Sequence, residues 1–464
     1  MASSPKKSDR IVNDNIHGDI RLTSDEWKVV NTATFQRLRS LKQLGMGHLV
    51  YPNATHTRFA HSLGVFRIMC RVLDRLGDTE LEDEKPDLRL AALLHDVGHY
   101  PYSHLMERVD WVKLTEEEVG TTTREISGAT EKYPDHEELG RYILESQKDI
   151  SKALGGKARA KKIGGLFSRL KSADQQLSKL IHSSLDMDRL DYLLRDARAA
   201  GVPYGEIDLN YLLNNIRISP KGMLGVDEKA LAAAEHFLLA RVFMHRVVYF
   251  HKTTFGCEEA CRQLLRRVRE SGKTEIAKDG NAIKAICASP SFRGFTDDYV
   301  DRIVLNAVDD SDPVIATLAK CLVERRPPKL ILEIGGVEDK TSDFTPGSVF
   351  RKRCKEELEG LARKHKLNLG QFLLCGPKPI RFEERGSLFT RTEAEKLKPE
   401  EREELIMVFR QGHEEPQSIV DIKGSIIHSL SNQVFAIQRL YLVGDDIAGE
   451  KLKKIREDVH KWVS

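Results

Sequence analysis

The stretch Leu88-Arg-Leu-Ala-Ala-Leu-Leu-His-Asp-Val-Gly-His-Tyr-Pro-Tyr-Ser-His104 decides how this chain is read. Leu88 to Leu94 is apolar nearly all round, the pattern of a helix buried on every side, and Gly98 is placed to end it. At that end His95 stands next to Asp96, with His99 and His104 following within the same short loop. A buried helix that finishes by presenting imidazole beside carboxylate can hold a divalent cation, because such ligands need support and a defined orientation. The dipeptide alone proves little, since a chain with 16 His among 464 residues yields about one His-Asp by chance. Its partners elsewhere must carry the inference.

Upstream, Thr23-Ser-Asp-Glu26 is a capping-box pattern that opens a helix toward Val29 and Val30, with Phe35, Leu38 and Leu41 continuing an apolar face to Gly45. From Thr57 to Leu76, Phe59, Leu63, Phe66, Met69, Leu73 and Leu76 recur at three and four and predict an amphipathic helix. His61 lies off that stripe and shares a face with Arg58. Downstream, Ser183-Ser-Leu-Asp-Met-Asp-Arg-Leu-Asp-Tyr-Leu-Leu-Arg-Asp196 packs through its leucines and carries Asp188, Tyr192 and Asp196 on another face. A single long helix is expected over about 230–271, with Arg241, His245, Tyr249 and Lys252 at spacings of four, four and three. Such a stripe suits a bound polyphosphate, since Arg and Lys give charge-assisted donors and Tyr a hydroxyl and a ring. It also suits a solvated face with one tyrosine, and spacing does not choose between them.

Two segments read as loops. Residues 115–135 are polar and rich in Gly and Thr. Between Lys148 and Lys171 eight basic residues stand against Asp149, which suits an anionic ligand or nucleic acid and, more commonly, a solvated mobile loop. After about residue 275, short β-like runs at Lys329–Ile334, Phe372–Cys375, Ile419–Ile422 and Val434–Val443 alternate with polar helices, the last over Ala448–Trp462, with Pro327-Pro328 and Pro377-Lys-Pro379 as breakers. The expectation is a mainly α chain: a helical core over 1–275 and a smaller α+β region over 276–464.

Charged residues make up 31% and no apolar run approaches a membrane span, so a globular protein without membrane contact is expected. No secretory signal is visible at the N-terminus, and a cytoplasmic location follows as the expectation. Seven scattered cysteines without a Cys-x-x-Cys argue for reduced thiols rather than disulfides or a zinc ribbon. A net charge of +3 gives no whole-chain case for nucleic-acid binding. No phosphate-binding Gly-x-x-x-x-Gly-Lys-Ser/Thr is present.

His61, His95-Asp96 and Asp188 complete an order, His, His-Asp, Asp, that resembles the HD-domain metal-dependent phosphohydrolases. Gln36-Arg-Leu-Arg-Ser-Leu-Lys-Gln-Leu-Gly45, Thr57-Arg-Phe-Ala-His-Ser-Leu-Gly64, the stretch around His95, Asp186-Met-Asp-Arg-Leu-Asp-Tyr192 and Tyr249-Phe-His-Lys252 are similar to the deoxynucleoside triphosphate (dNTP) triphosphohydrolase branch. They resemble in particular the catalytic domain of members that carry a sterile-alpha-motif module, here without the module. The resemblance covers about residues 10–265 and implies a helical HD core.

The resemblance further implies that His61, His95, Asp96 and Asp188 bind a divalent cation, and Mn, Fe, Mg, Zn and Ni all suit such a set. Water attack at the α-phosphate would release deoxynucleoside and triphosphate. His104 matches a catalytic histidine, with Glu107 one turn later to orient it, and His99 and His136 match further active-site histidines. Arg58, Arg189, Tyr192, Arg241 and Lys252 are implied against the triphosphate. Gln43, Leu44, Asp196 and Tyr249 are implied around a deoxyribose whose base is not read. The family's nucleotide-activated assembly implies a GTP or dNTP activator at Arg10, Ile11, Asn13, Asn31, Gln36 and Arg39. Asn31 stands where an acid reads guanine, which weakens that site. A homo-tetramer or dimer is the family expectation. Two other readings stay open: an HD phosphodiesterase or nucleotidase on other nucleotides or nucleic-acid ends, and a nucleic-acid-binding scaffold using the basic run.

Overall fold

The Thr23 hydroxyl accepts from the Glu26 backbone N–H while the Glu26 carboxylate accepts from the Thr23 N–H at 2.7 Å, and this reciprocal pair opens α1 (Ser24–Val30) as the sequence prescribes. The computed structural model describes residues 10–76, 82–110, 132–168, 178, 180–181, 185–219, 224–273, 275–339, 346–376, 380–381, 406–413, 415–444 and 447–463. Before α1, β1 (Arg10–Asp14) and β2 (Gly18–Leu22) form a hairpin. The helix does not run on to Gly45 as its apolar spacing suggested. Thr32 caps a new start, α2 (Ala33–Gln36), and Arg37–Ser40 tighten into a 3-10 turn. A side-chain acceptor at a helix start competes with continuation of the preceding helix.

The central helices are α3 (Arg58–Leu76) and α4 (Lys85–Leu94), followed by a turn that holds His95 and Asp96, then α5 (His104–Glu107) and α6 (His136–Ser146). Most of the polar segment 115–135 lies outside the described residues. The basic run is not a loop: its described part folds as α7 (Lys148–Ala153) and α8 (Lys157–Phe167). Ile150, Leu154, Ile163, Leu166 and Phe167 are buried, and that apolar face overrides the Gly pairs. Arg159 pairs with Asp87 and Lys162 with Glu84 and Asp87, so part of the run's charge is spent within the chain.

Asp186 caps α9 (Met187–Ala200), which ends on Gly201 in the left-handed conformation. It packs on α3 at Gly64, where a Cβ would overlap the Asp191 carboxylate and the Arg195 guanidinium. After α10 (Leu209–Asn214) comes a four-stranded sheet in the order β3 (Ile216–Ile218), β4 (Leu224–Asp227), β8 (Met407–Phe409), β9 (Gln417–Ser418), with β4 and β8 parallel.

The long helix expected over 230–271 is broken. α11 (Leu231–Met244) passes through a π turn at His245–Tyr249, the chain leaves the helix at Phe250, and His251 caps α12 (Lys252–Glu270). The consecutive β-branched and aromatic residues Val247 to Phe250 crowd the helical χ1 wells. α13 (Gly280–Ala288), α14 (Asp297–Asn306) and α15 (Pro313–Val323) then bury Ile283, Val300 and Leu318 in the same core as α3, α4 and α9.

The last part is an antiparallel sheet, β5 (Lys329–Asp339), β10 (Gln433–Leu442) and β6 (Phe372–Cys375), with β7 (Ile380–Arg381) also on β10. It is packed by α16 (Pro346–His365) and α18 (Gly449–His460) around a second core containing Ile331, Phe350, Leu440 and Ile455. A short α17 (Ile426–Leu430) precedes β10. Ile419–Asp421 is a 3-10 turn rather than the expected strand, and Pro377-Lys-Pro379 lies outside the described residues. On β10, Arg439 donates to the Phe250 carbonyl at 2.6 Å and Tyr441 to the Lys252 carbonyl at 2.8 Å. The C-terminal sheet thus clamps the backbone break between α11 and α12.

Candidate active site

His61 lies on α3 with no exposed surface, although its place off the apolar stripe suggested a face turned from the packing. The reason is that α9 covers this face at Gly64. His61 Nε2 stands 2.9 Å from Asp188 Oδ1 and 3.7 Å from Asp96 Oδ2. His95 Nε2 is 3.3 Å from Asp96 Oδ1 and 3.8 Å from Asp188 Oδ1. The four residues expected to bind metal therefore meet, drawn from α3, the turn after α4, and α9.

The donor set fits a cation. His95 anchors Nδ1 on the Ala92 carbonyl at 2.9 Å, while Nε2 is buried with no hydrogen-bond partner, an arrangement that is costly unless something accepts its lone pair. His61, His95 and Asp188 offer ligand atoms that all lie within 4.8 Å of one another. Electrostatics agree: burial would lower the His61 pKa, yet the Asp188 and Asp191 hydrogen bonds and the Asp96 charge hold it at about 10. Asp188 and Asp96 are held well below the usual carboxylate range; burial opposes this, but the histidines, and Arg58 for Asp96, overcome it. A pocket that draws positive charge this strongly suits a divalent ion.

Behind the cluster lies a residue that the sequence reading missed. Asp191, fully buried, accepts from His61 Nδ1 at 2.8 Å, His17 Nε2 at 2.6 Å and Arg195 Nε at 2.8 Å. Arg195 in turn reaches Asp14 at 2.9 Å. Asp191 is one turn beyond Asp188, and that spacing was the available signal; nothing in the sequence pointed to His17 as its partner.

The loop from Gly98 to Ser103 carries the remaining histidines. Gly98 allows the start of α6 to approach so closely that a Cβ would overlap the His136 carbonyl, and His136 stacks on His99 with centroids 4.1 Å apart. Tyr102 and Ser103 adopt positive φ of 51° and 57°, a strained pair held from outside. The Ser103 hydroxyl accepts from Arg58 Nε at 2.9 Å and Nη2 at 2.7 Å, and Tyr102 N–H donates to Asp297 at 2.8 Å. His104 Nδ1 then lies 2.7 Å from Glu107, whose other oxygen is 3.3 Å from His136 Nδ1. Glu107 is held far below the usual range: burial raises it, but hydrogen bonds to His104 and His136 dominate. His99 stacks on His136, meets His104 edge-on and reaches Asp96 at 3.1 Å. His99, His104 and His136 are therefore one cluster beside the metal-ligand set.

Arg58 is buried and bonds Asp96 at 2.5 Å. Arg189 and Arg241 both act electrostatically on Tyr192 and His245, which places them in one neighbourhood. Lys252 is exposed at the first turn of α12. The break before α12 separates it from the helix of Arg241, so the expected single-helix stripe is divided between two helices.

Residues 42 and 57 bridge, which brings Gln43 against His56 through the Gln43 N–H to His56 carbonyl bond of 3.0 Å. Asp196 is held between His56 Nε2 at 2.7 Å and the Tyr249 hydroxyl at 2.8 Å. The Gln43 Oε1 atom is buried without a hydrogen-bond partner, and Leu44 is half-buried beside it. His56 is the second residue missed, its contact with Asp196 spanning 140 positions.

Of the residues expected to bind an activator, Arg10, Ile11 and Asn13 are exposed on β1. Asn31 donates to its own helix at Trp27 O, Gln36 donates to Val30 O at 2.8 Å, and Arg39 donates to Gln36 at 2.7 Å. Gln36 and Arg39 are joined; no hydrogen bond ties them to β1 among the described residues.

Histidine and aspartate thus converge from α3, the turn after α4, and α9. Residues 58–196 match the HD domain and 207–303 the HD associated region, and the chain belongs to the HD-domain family. It is similar to an uncharacterized protein of Methanocaldococcus jannaschii, 35% identical over 248 residues that cover 53% of this chain and 46% of that protein. It is also similar to the Dictyostelium discoideum homolog of deoxynucleoside triphosphate triphosphohydrolase SAMHD1, 31% identical over 341 residues that cover 65% of this chain and 62% of that protein. The chain spans about half the length of several curated relatives that it matches. A crystal structure of a phosphohydrolase from Bacteroides thetaiotaomicron shares the fold, with a TM-score of 0.67 at 23% identity over 94% of this chain and 99% of that one.

Proposed function

We propose that this protein hydrolyses dNTPs at the α-phosphate, releasing deoxynucleoside and tripolyphosphate. The observation that carries the reading is the adjacency of two pockets: Tyr249, bonded to Asp196, also feels the charge of Asp188 and packs at 6.1 Å from Tyr192. The Asp196 carboxylate and the Tyr249 hydroxyl thus lie near Asp188, and Gln43 pairs through its backbone with His56, which holds Asp196. Such groups can pair with the hydroxyls of a sugar placed beside an α-phosphate. The similarity to the Dictyostelium protein supports it.

His61, His95, Asp96 and Asp188 would hold a divalent cation, which supplies Lewis-acid polarisation of a phosphoryl oxygen and a bound water of lowered pKa. Asp191 keeps the proton of His61 on Nδ1, leaving Nε2 free to ligate. Arg58, Arg189, Arg241 and Lys252 neutralise the triphosphate. As the water oxygen bonds to phosphorus and the bond to the 5′ oxygen breaks, His104 gives that oxygen its proton, with Glu107 orienting the imidazole and His136 bracing Glu107. Asp196 accepts from the sugar 3′-hydroxyl and the Tyr249 ring excludes a 2′-hydroxyl. A site built to pair a buried hydroxyl discriminates strongly against its loss.

The family reading extends to a homo-oligomer, tetramer or dimer, with the region 276–464 serving assembly or regulation. It also extends to activation by GTP or a dNTP, weakened by Asn31, whose amide is engaged by its own helix. No helix among the described residues is long and apolar enough to cross a membrane, and all seven cysteines are free and buried, in keeping with a reducing, cytoplasmic setting. The deciding experiment incubates purified protein and Mn²⁺ or Mg²⁺ with each dNTP, with and without GTP or dGTP, and resolves products by chromatography. Deoxynucleoside plus tripolyphosphate is expected. A nucleoside mono- or diphosphate product would place the chain with other HD nucleotidases or phosphodiesterases instead.

A further inference from the structure

A cavity of about 590 Å³ opens between the hairpin turn, α3, α9 and the start of α10. That size falls within the roughly 300–1,000 Å³ typical of small-molecule sites. Two helices line it with guanidinium groups: Arg67 and Arg71, one turn apart on α3, and Arg198 on α9. Arg71 donates to Asn210 at 2.8 Å. Arg67 and Arg198 make no hydrogen bond or ion pair among the described residues. Partial burial, and then the neighbouring charge of Arg67, hold the Arg71 guanidinium below its ordinary value, so these cations are gathered at an electrostatic cost. Two carboxylates face them, and one of these, Asp208, is already engaged in capping α10 through the Tyr211 N–H at 3.0 Å. Glu206 is exposed at the rim. Apolar surface from Ile16, Leu194 and Ile207 completes the wall.

We infer that this cavity is a second anion site, which binds the polyphosphate group of a phosphorylated small molecule apart from the metal centre. Guanidinium is the side chain suited to bidentate contact with phosphate oxygens, and three of them from two helices line this one cavity. The apolar wall offers contact to a sugar or base, so the group can come from a nucleoside triphosphate or from inorganic tripolyphosphate. The cavity is also lined by His17, whose imidazole bonds Asp191 and, through it, His61. An occupant here and the metal ligands therefore share one hydrogen-bond chain.

The test does not depend on hydrolysis. Inorganic tripolyphosphate and, separately, dGTP are titrated calorimetrically into the full chain with a chelator present, so that no divalent cation recruits phosphate to the HD centre. The wild type is compared with Arg67→Ala/Arg198→Ala, with Arg67→Lys and with Arg241→Ala, and thermal unfolding confirms that each variant is folded. The double variant should bind at least tenfold more weakly, Arg67→Lys should fall between it and the wild type because lysine keeps the charge but not the bidentate fork, and Arg241→Ala, which weakens only the cleft beside the metal-ligand set, should retain the binding borne by the cavity. Tighter binding of dGTP than of tripolyphosphate identifies a nucleotide as the source; equal binding identifies the polyphosphate alone. The assignment is overturned if the double variant binds like the wild type, if Arg241→Ala removes the binding, or if the wild type shows no saturable binding.

Discussion

Asp191 accepts the Nδ1 proton of His61 at 2.8 Å, and this contact sets which nitrogen of that histidine faces Asp188. Without it the ring could carry its proton on the ligating side. Asp191→Asn should therefore weaken metal binding by about 10–100-fold, the usual effect of losing an outer partner of a ligating histidine. Metal content measured after dialysis against graded chelator reads this directly. Undiminished retention would show that Asp191 only braces Arg195.

His104 is half-exposed, so its replacement should not disturb the core. His104→Gln should lower kcat by about 10²–10⁴ while metal content and KM change little, the pattern of a lost proton donor. A change confined to KM would reassign His104 to binding.

Tyr249 and His56 both fix Asp196. Tyr249→Ala opens the space next to that carboxylate, and we expect the preference for deoxyribonucleotides over ribonucleotides, taken as the ratio of kcat/KM, to fall at least tenfold. An unchanged ratio would move sugar discrimination elsewhere.

Glu258 on α12 faces Gly45, next to Leu44, with its carboxylate 3.3 Å from where a Cβ on Gly45 would sit. Burial raises it from 4.5 to about 7. A carboxyl raised in the folded state contributes stability that is full below 4.5 and is lost as pH rises through about 7. Glu258→Gln should leave the melting temperature nearly unchanged at pH 4 and raise it at pH 8. Equal shifts at both values would remove Glu258 as the titrating group.

Gly64 is where α3 and α9 touch. Gly64→Ala must push Asp191 and Arg195 aside, and overpacking of this kind costs about 1–3 kcal/mol. Chemical denaturation should show that loss together with weaker metal retention, since the helices bearing His61 and Asp188 separate.

Much of the helical core was legible because burial imposes a 3.6-residue rhythm on Phe59 to Leu76 and on the Asp186 to Asp196 segment. The capping box at Thr23 was legible for a local reason, since its two hydrogen bonds lie within four residues. The break at Phe250 was not. It depends on Arg439 and Tyr441, which arrive from strand β10 to satisfy the Phe250 and Lys252 carbonyls 189 residues away. The basic run was misjudged as a loop because its buried Ile163 and Phe167 are sparse among lysines and find their partners only in α4 and α6.

The sequence by itself determined the candidate ligand types, their order, and that His61 and Asp188 stand on helices with His95 and Asp96 at the end of another, since these follow from residue identity and local periodicity. Tertiary structure alone decided that Asp191 and His17 stand behind His61, that His56 holds Asp196, and that three arginines line one cavity. Those relationships join residues up to 174 positions apart. No local pattern encodes them, because they exist only once α3 and α9 close on each other at Gly64.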